Sequence, residues 1–381
     1  MKTKIVVVGG GAGGTIVANR LAEKLRPELD SGEAEVLVVN ESPEQLYKPA
    51  TLYVAFGKTE PSNARRPIRD LLDPRVKFRE TKALKLNKED SRLKFSDGTE
   101  TRYDYLVLAT GSRLDMGGIP GLKEAGHHFY GPEGAENLRE ELAGFDSGHL
   151  VVSVIGVPHM CPVAPLEFTL LADNWFRERG LRDKVKITYT YPINAVFGFD
   201  SVASWASALM EERDIDTETF FNVEKIDPDK KEIQTVEGTN LGFDLLVGIP
   251  PHRGDELIKS ADLGDGEWVE TNKQTLEATR AENIYAIGDA ADVPTSKAGS
   301  VAHYESCVVA DRITSQVRGR KPTEIYDGKT ICFIDGVDGD KATFLQFEYG
   351  EKPEPLKESR LLHWAKHSYN EAYWLTARGL M

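Results

Sequence analysis

The chain is poor in cysteine: its 381 residues hold only Cys161, Cys307 and Cys332. Three are too few for a disulfide-stapled secreted domain, and their spacing fits neither a zinc ribbon nor a CxxC redox pair, so no metal site is expected. If two of them pair, folding must bring them together, and a disulfide in a reducing compartment is more often catalytic than structural. Long apolar runs are also missing, with none near the roughly 18 residues that would cross a bilayer. Residues 1–8 pass straight into a strand pattern, leaving no charged segment followed by a cleavable apolar one, and the cytoplasm is the expected compartment. Basic charge is in deficit: Lys+Arg 47 against Asp+Glu 61 give a formal net charge of -14. Such a surface repels phosphate backbones, which excludes nucleic acid as a main partner. Low-complexity segments are absent.

What is present reads as a globular protein, and 40% hydrophobic residues over this length suggest two or three domains with large cores. Ile5-Val6-Val7-Val8 is a continuous apolar run ending in glycines, the pattern of a buried parallel strand. Ile16, Val17, Leu21 and Leu25 then recur at helical spacing until Pro27 and Asp30-Ser31-Gly32 interrupt them. Val36 to Val39 supplies the next strand, so residues 4–41 form one βαβ unit. Tyr105 to Leu108 is a further buried strand, and Leu150 to Ile155 opens a second strand-turn-helix unit with its helix over about 164–179. Strands at 245–247 and 284–287 resume the first pattern. The expected class is α/β, with two Rossmann-like dinucleotide-binding domains, the second inserted in the first. Residues 1–112 and 249–322 make up the outer domain, 113–248 the inserted one, and 323–381 a C-terminal region of strands followed by an amphipathic helical tail from about Pro355.

Gly9-Gly10-Gly11-Ala12-Gly13-Gly14 supplies GxGxxG between strand and helix. Gly9 permits the tight turn, Gly11 lets backbone approach a pyrophosphate, and Gly14 allows close packing, while the helix opening at Ala12 stabilises phosphate charge. A glycine string alone is weak evidence; its place in a βαβ unit is what points to a dinucleotide. The acidic residue that usually holds a ribose hydroxyl falls at Asn40 or Glu41, and Asn40 in that slot departs from the usual carboxylate. Ala109-Thr110-Gly111 and Tyr285-Ala286-Ile287-Gly288-Asp289 resemble the two later fingerprints of the two-dinucleotide-binding-domain flavoproteins. That resemblance implies FAD, held by these residues together with Lys48 and Pro49, with Asp289 on the ribityl chain. A helix beginning near Gly299 would direct its dipole at the flavin edge where negative charge gathers on reduction.

In NAD(P)H-using members the second unit repeats GxGxxG, but here the stretch is Gly156-Val157-Pro158-His159-Met160-Cys161. Proline removes an N–H and blocks close approach, so NAD binding is expected to be lost. A cysteine at the head of a helix is expected to have a depressed pKa, the plain alternative being a small buried hydrophobe.

Pro158 to Glu167, Asp244 to Pro251, Gly266-Glu267-Trp268-Val269 and Gly299 to Glu305 resemble the sulfide:quinone oxidoreductases over nearly the whole chain. The resemblance implies that Cys332, within Thr330-Ile331-Cys332-Phe333-Ile334, pairs with Cys161 across the flavin ring, and that Cys307 only packs. It assigns Phe333 and Tyr304 to the quinone, with a plain core role as the alternative for Phe333. Two departures stand out. Some members carry a third cysteine, linked to the flavin in certain cases, near 115–135; none is present here, which implies non-covalent FAD. Tyr191-Pro192-Ile193-Asn194-Ala195 stands where several relatives place a histidine, which leaves the proton route open.

The implied reaction begins with thiol-disulfide exchange: sulfide attacks a Cys161–Cys332 disulfide, giving a persulfide and a thiolate, and the thiolate passes an electron pair to the flavin, which then reduces quinone. Either cysteine could meet sulfide first. Glu167, a turn and a half beyond Cys161, is a candidate proton acceptor or else an exposed helix carboxylate. In the tail, Leu361, Leu362, Ala365, Tyr369, Tyr373 and Leu380 lie at helical spacing beside Trp364, Trp374 and four basic residues, Lys357, Arg360, Lys366 and Arg378. That mix suits an interfacial helix on a membrane surface, and the alternative is a helix docked on the core or on a second copy in a homo-oligomer. The rival functions are the flavin subunit of a flavocytochrome sulfide dehydrogenase, an NADH:quinone reductase, and a redox-sensing flavoprotein without turnover.

Overall fold

The structure, a computed structural model, describes residues 2–380. Two five-stranded parallel sheets organise it. In the first, Thr3–Val8 lies between Ala34–Asn40 and Tyr105–Leu108, with Lys77–Glu80 and Ile284–Ala286 at the edges. Ile5 pairs with Val36 and Tyr105, and Tyr285 with Val107. Ile5, Val6, Val7, Val36, Val38, Leu106 and Val107 are fully buried, because helices and loops cover both faces of a parallel sheet and the strands are apolar on both sides.

The second sheet runs Gly126–His127, Leu245–Ile249, Gly148–Val154, Val185–Thr190 and Asp216–Glu218. The chain leaves the first sheet after Leu108 and returns to it at Ile284, so the second unit is inserted in the first. The outgoing and returning chains pair antiparallel, Arg113 with Arg253 and Leu114 with His252.

After the long helix Gly299–Val317, Thr330–Ile334 and Thr343–Phe347 form a hairpin in which Cys332 faces Leu345. Arg213, which bonds buried Asp173 at 2.9 Å, also donates to the carbonyl of Val337 and so ties this hairpin to the inserted unit. The tail helix spans Arg360–Ala377 and begins later than its spacing predicts. Residues 356–359 are held extended beside the hairpin, Leu356 N–H donating to Phe344 at 3.1 Å and Ser359 to Ala342 at 3.1 Å, and Ser359 Oγ then caps the helix. Among the described residues no helix is long and apolar enough to cross a membrane.

Candidate active site

A deep cleft opens between the glycine turn, the inserted unit and the C-terminal region. Gly9, Gly11, Ala12, Asn40, Lys48, Pro49, Ala109, Thr110, Gly111, Gly288, Asp289 and Gly299 line it. Gly9 has φ +111, and a Cβ there would stand 2.2 Å from the carbonyl oxygen of Ala109. At Gly14 a Cβ would meet the oxygen of Gly9 at 1.8 Å, so Gly14 supports the turn from behind without lining the cleft. Around Gly11 there is open space within 4 Å, and the helix it precedes has no side-chain cap, which leaves N–H donors for a ligand anion. Thr110 Oγ1 is buried without a partner at the cleft wall. These features fit a dinucleotide such as FAD.

Of the two ribose candidates, Asn40 lines the cleft and Glu41 does not. Successive strand residues point to opposite sides: the Asn40 amide oxygen accepts the Gly10 N–H at 2.8 Å, while exposed Glu41 pairs with Lys82 at 3.2 Å. Asp289 accepts a hydrogen bond from Ser112 at 2.7 Å, and Lys297 donates to the Asp289 carbonyl at 2.7 Å.

The second glycine turn is diverted. A Cβ on Gly156 would lie 2.8 Å from Pro251 Cα, so protein already fills the space close to that turn. From there the chain crosses to the first unit, where Met160 bridges Lys297 and Cys161 N–H donates to the Lys297 carbonyl at 2.8 Å. Cys161 adopts φ 46, in the left-handed region, and lies three positions ahead of the helix Ala164–Glu178. The expectation of a depressed cysteine pKa fails here. Burial, reinforced by the Glu167 charge, pushes the Cys161 thiol up to about 12, against the opposing charge of Lys366.

Cys332 lines the same cleft and is also a free thiol, raised further by burial and by Cys161. Cys307 lies outside it, donating to the His303 carbonyl at 3.4 Å within its own helix. Phe333 reaches the cleft with its ring 4.8 Å from Phe344 and 6.3 Å from Tyr369. Tyr304 is not among the lining side chains: Lys329 lies over its ring at 5.1 Å, and the preceding residue, His303, lines the cleft.

Glu167 is no exposed helix carboxylate: it is 3% exposed, lines the cleft and receives the ammonium of Lys366. Burial raises its pKa in spite of that lysine. Sequence reading missed the group behind it. The Tyr53 hydroxyl lies 3.4 Å from Glu167 Oε1 and 3.2 Å from Asp335 Oδ2. His363 Nδ1 meets Asp335 Oδ1 at 2.7 Å, and His367 Nε2 lies 3.4 Å from Oδ2. Burial works against the Asp335 charge, but hydrogen bonds from His367 and His363 and the charge of Lys366 hold its carboxyl well below the usual range. The available signal was His363 and His367 at i,i+4 with Lys366 between them, which share a helix face.

Fold and cleft together define a flavoprotein with two nucleotide-binding folds, of which only the first keeps an open cofactor turn. The family model described as pyridine nucleotide-disulphide oxidoreductase matches residues 3–312, and the chain belongs to that family; FAD is its cofactor. The mitochondrial sulfide:quinone oxidoreductase of Mus musculus is 26% identical over 363 residues, 92% of this chain and 79% of that protein. The sulfide-quinone reductase of Aquifex aeolicus is 24% identical, covering 98% of this chain and 90% of the relative. The X-ray structure of the Aquifex aeolicus sulfide:quinone oxidoreductase superposes with a TM-score of 0.87 at 23% identity, over 99% of this chain and 91% of the other.

Proposed function

We propose that this chain oxidises sulfide to sulfane sulfur or polysulfide and delivers the electron pair to quinone, with Cys161 and Cys332 as its redox pair. One observation carries the reading: the segment that would otherwise form a second dinucleotide turn instead brings Cys161 into the cleft that Cys332 lines.

In the oxidised state a Cys161–Cys332 disulfide is open to attack by HS⁻. One S–S bond forms and one breaks, which leaves a persulfide on one cysteine and a thiolate on the other. FAD, when bound, supplies the acceptor for the electron pair and the donor to quinone. Gly9, Gly11 and the helix from Ala12 would hold its pyrophosphate, and Asp289 its ribityl chain. The Lys366 ammonium opposes the rise of the Cys161 pKa and so favours the leaving thiolate. Glu167 sits where it can hold a proton beside the sulfurs. Phe333 offers an aromatic face to a quinone ring. Residues 1–112 with 249–322 are the proposed FAD domain, 113–248 the inserted domain and 323–381 the quinone and membrane region.

The tail helix supports peripheral attachment to a membrane. Tyr373 and Lys366 face the protein, whereas Leu361 and Trp364 are 77% and 67% exposed, an apolar ridge suited to a headgroup layer.

Anaerobic mixing of the FAD-loaded protein with sulfide tests the activity. The visible absorption of the oxidised flavin should bleach rapidly and recover when a quinone is added. A flavin that stays oxidised under excess sulfide excludes the reading.

A further inference from the structure

Resting on that reading, the reaction has a proton deficit inside the cleft. Oxidation of HS⁻ to zero-valent sulfur releases two electrons and one proton, and reduction of quinone to quinol takes two of each. The balance is HS⁻ + H⁺ + Q → S⁰ + QH₂, so of the two protons that the quinone takes up in each turnover one is released by sulfide and the other must be drawn from solvent into the cleft.

We propose that Glu167, Tyr53, Asp335 and the pair His363 and His367 form the conduit for that proton, with His367 as its mouth. The chain of contacts runs from His367, whose side chain is 40% exposed, to Asp335 at 3.4 Å, on to the Tyr53 hydroxyl at 3.2 Å, and to Glu167 at 3.4 Å in the cleft wall. His363, 17% exposed and 2.7 Å from the other Asp335 oxygen, gives a second way in. Each link can accept and then donate: imidazole through its two nitrogens, a carboxylate through its two oxygens, a phenol through one oxygen. Four separate segments contribute, since Tyr53 lies on the helix Pro49–Ala55, Glu167 on Ala164–Glu178, Asp335 just beyond the hairpin strand, and the histidines on the tail helix. The other charged and titratable neighbours are Lys366, which contacts Glu167 and lies 5.7 Å over the Tyr53 ring, and Tyr47 beside Tyr53. The ordering of affinities suits inward transfer. Asp335 is held acidic by its histidines and Glu167 is raised by burial, so a proton passed along the chain comes to rest at the cleft end. Burial keeps the Tyr53 phenol neutral, fit to relay a proton without becoming charged.

Proton movement can be read apart from sulfide turnover. The FAD-loaded protein is reduced anaerobically and mixed with ferricyanide, which takes electrons and no protons, in weak buffer containing a pH-indicator dye. In the parent protein, proton release should keep pace with flavin oxidation. In Tyr53→Phe, which keeps the ring and cuts the link, release should lag oxidation by at least about 100-fold, the low end of what a positioned proton-transfer group contributes. The double variant His363→Ala with His367→Ala should lag similarly and recover when imidazole is added, whereas Tyr53→Phe should not. Tyr53→Phe leaves the Asp335 and histidine cluster intact, so it decides the matter even if the double variant fails to fold. Proton release in step with flavin oxidation in Tyr53→Phe overturns the conduit. Because sulfide takes no part, a failure of the sulfide reading registers in the bleaching experiment and not in this one.

Discussion

Lys366 on the C-terminal helix donates its ammonium to Glu167, 199 positions earlier in the chain, and both side chains are buried. A helix that also exposes an apolar ridge therefore closes the floor of the cleft. Tyr373 fixes it about two turns further on, its ring stacked on Tyr47 at 4.0 Å and its hydroxyl accepting from Gln45 at 2.8 Å.

Lys366→Met should strand a buried carboxylate, at a cost of about 3–5 kcal/mol at neutral pH. Glu167 is already raised above its ordinary value of 4.5 in the folded protein, and removing Lys366 raises it further. A raised acid group stabilises the fold below its unfolded pKa and loses that contribution as pH rises through the folded value. The penalty should therefore be small near pH 4 and grow towards pH 8, both approximate settings for urea unfolding of parent and variant. A penalty that does not change with pH would mean that removing Lys366 leaves the affinity of Glu167 for its proton unchanged.

Two glycines one helical turn apart should behave differently. In Gly14→Ala the new methyl collides with the Gly9 carbonyl, and we expect a loss of roughly 3 kcal/mol or more with failure to retain FAD. In Gly11→Ala the methyl enters open space, so thermal unfolding of the apoprotein should be close to parental while FAD affinity falls at least about tenfold. Equal FAD affinity for parent and Gly11→Ala in a fluorescence titration would place the pyrophosphate elsewhere.

Serine at Cys161 or Cys332 should keep the yellow cofactor and cut sulfide-dependent bleaching by about 100-fold or more. The double variant should match the worse single one, because groups acting as a unit do not contribute additively. Cys307→Ser should bleach at the parental rate, its thiol lying outside the cleft. A Cys332→Ser protein that turns over normally would leave Cys161 without its partner role.

NADH should not reduce the flavin at a useful rate, since Pro158 offers no donor and Pro251 crowds Gly156. Stopped-flow absorbance with micromolar NADH checks this, and fast bleaching would reveal a nicotinamide site by another route.

Leu361→Ser with Trp364→Ser should leave a folded, FAD-loaded protein that no longer sediments with liposomes, because both side chains are largely exposed and little packing is lost. Deleting the whole tail is a poorer test, as it also removes Lys366 and Tyr373 from the core. Sedimentation unchanged by the two substitutions would move the attachment surface elsewhere.

The amino-acid sequence by itself determined the local elements and their class. Apolar runs such as Ile5 to Val8 and Val36 to Val39 dictate buried parallel strands, and the glycines from Gly9 to Gly14 dictate the turn between strand and helix, because hydrophobic periodicity and backbone freedom act over a few neighbouring residues. The replacement of the second glycine pattern by Pro158 and Cys161 was legible for the same reason. Tertiary structure decided what surrounds each side chain. It chose Asn40 over Glu41, placed Cys161 in a buried left-handed turn where its pKa rises, buried Glu167, and turned Tyr304 out of the cleft lining. It also joined Tyr53 to Asp335 across 282 positions and Lys366 to Glu167 across 199. Burial and charge depend on every segment packed around a group, and no short window of sequence contains the partners that set them.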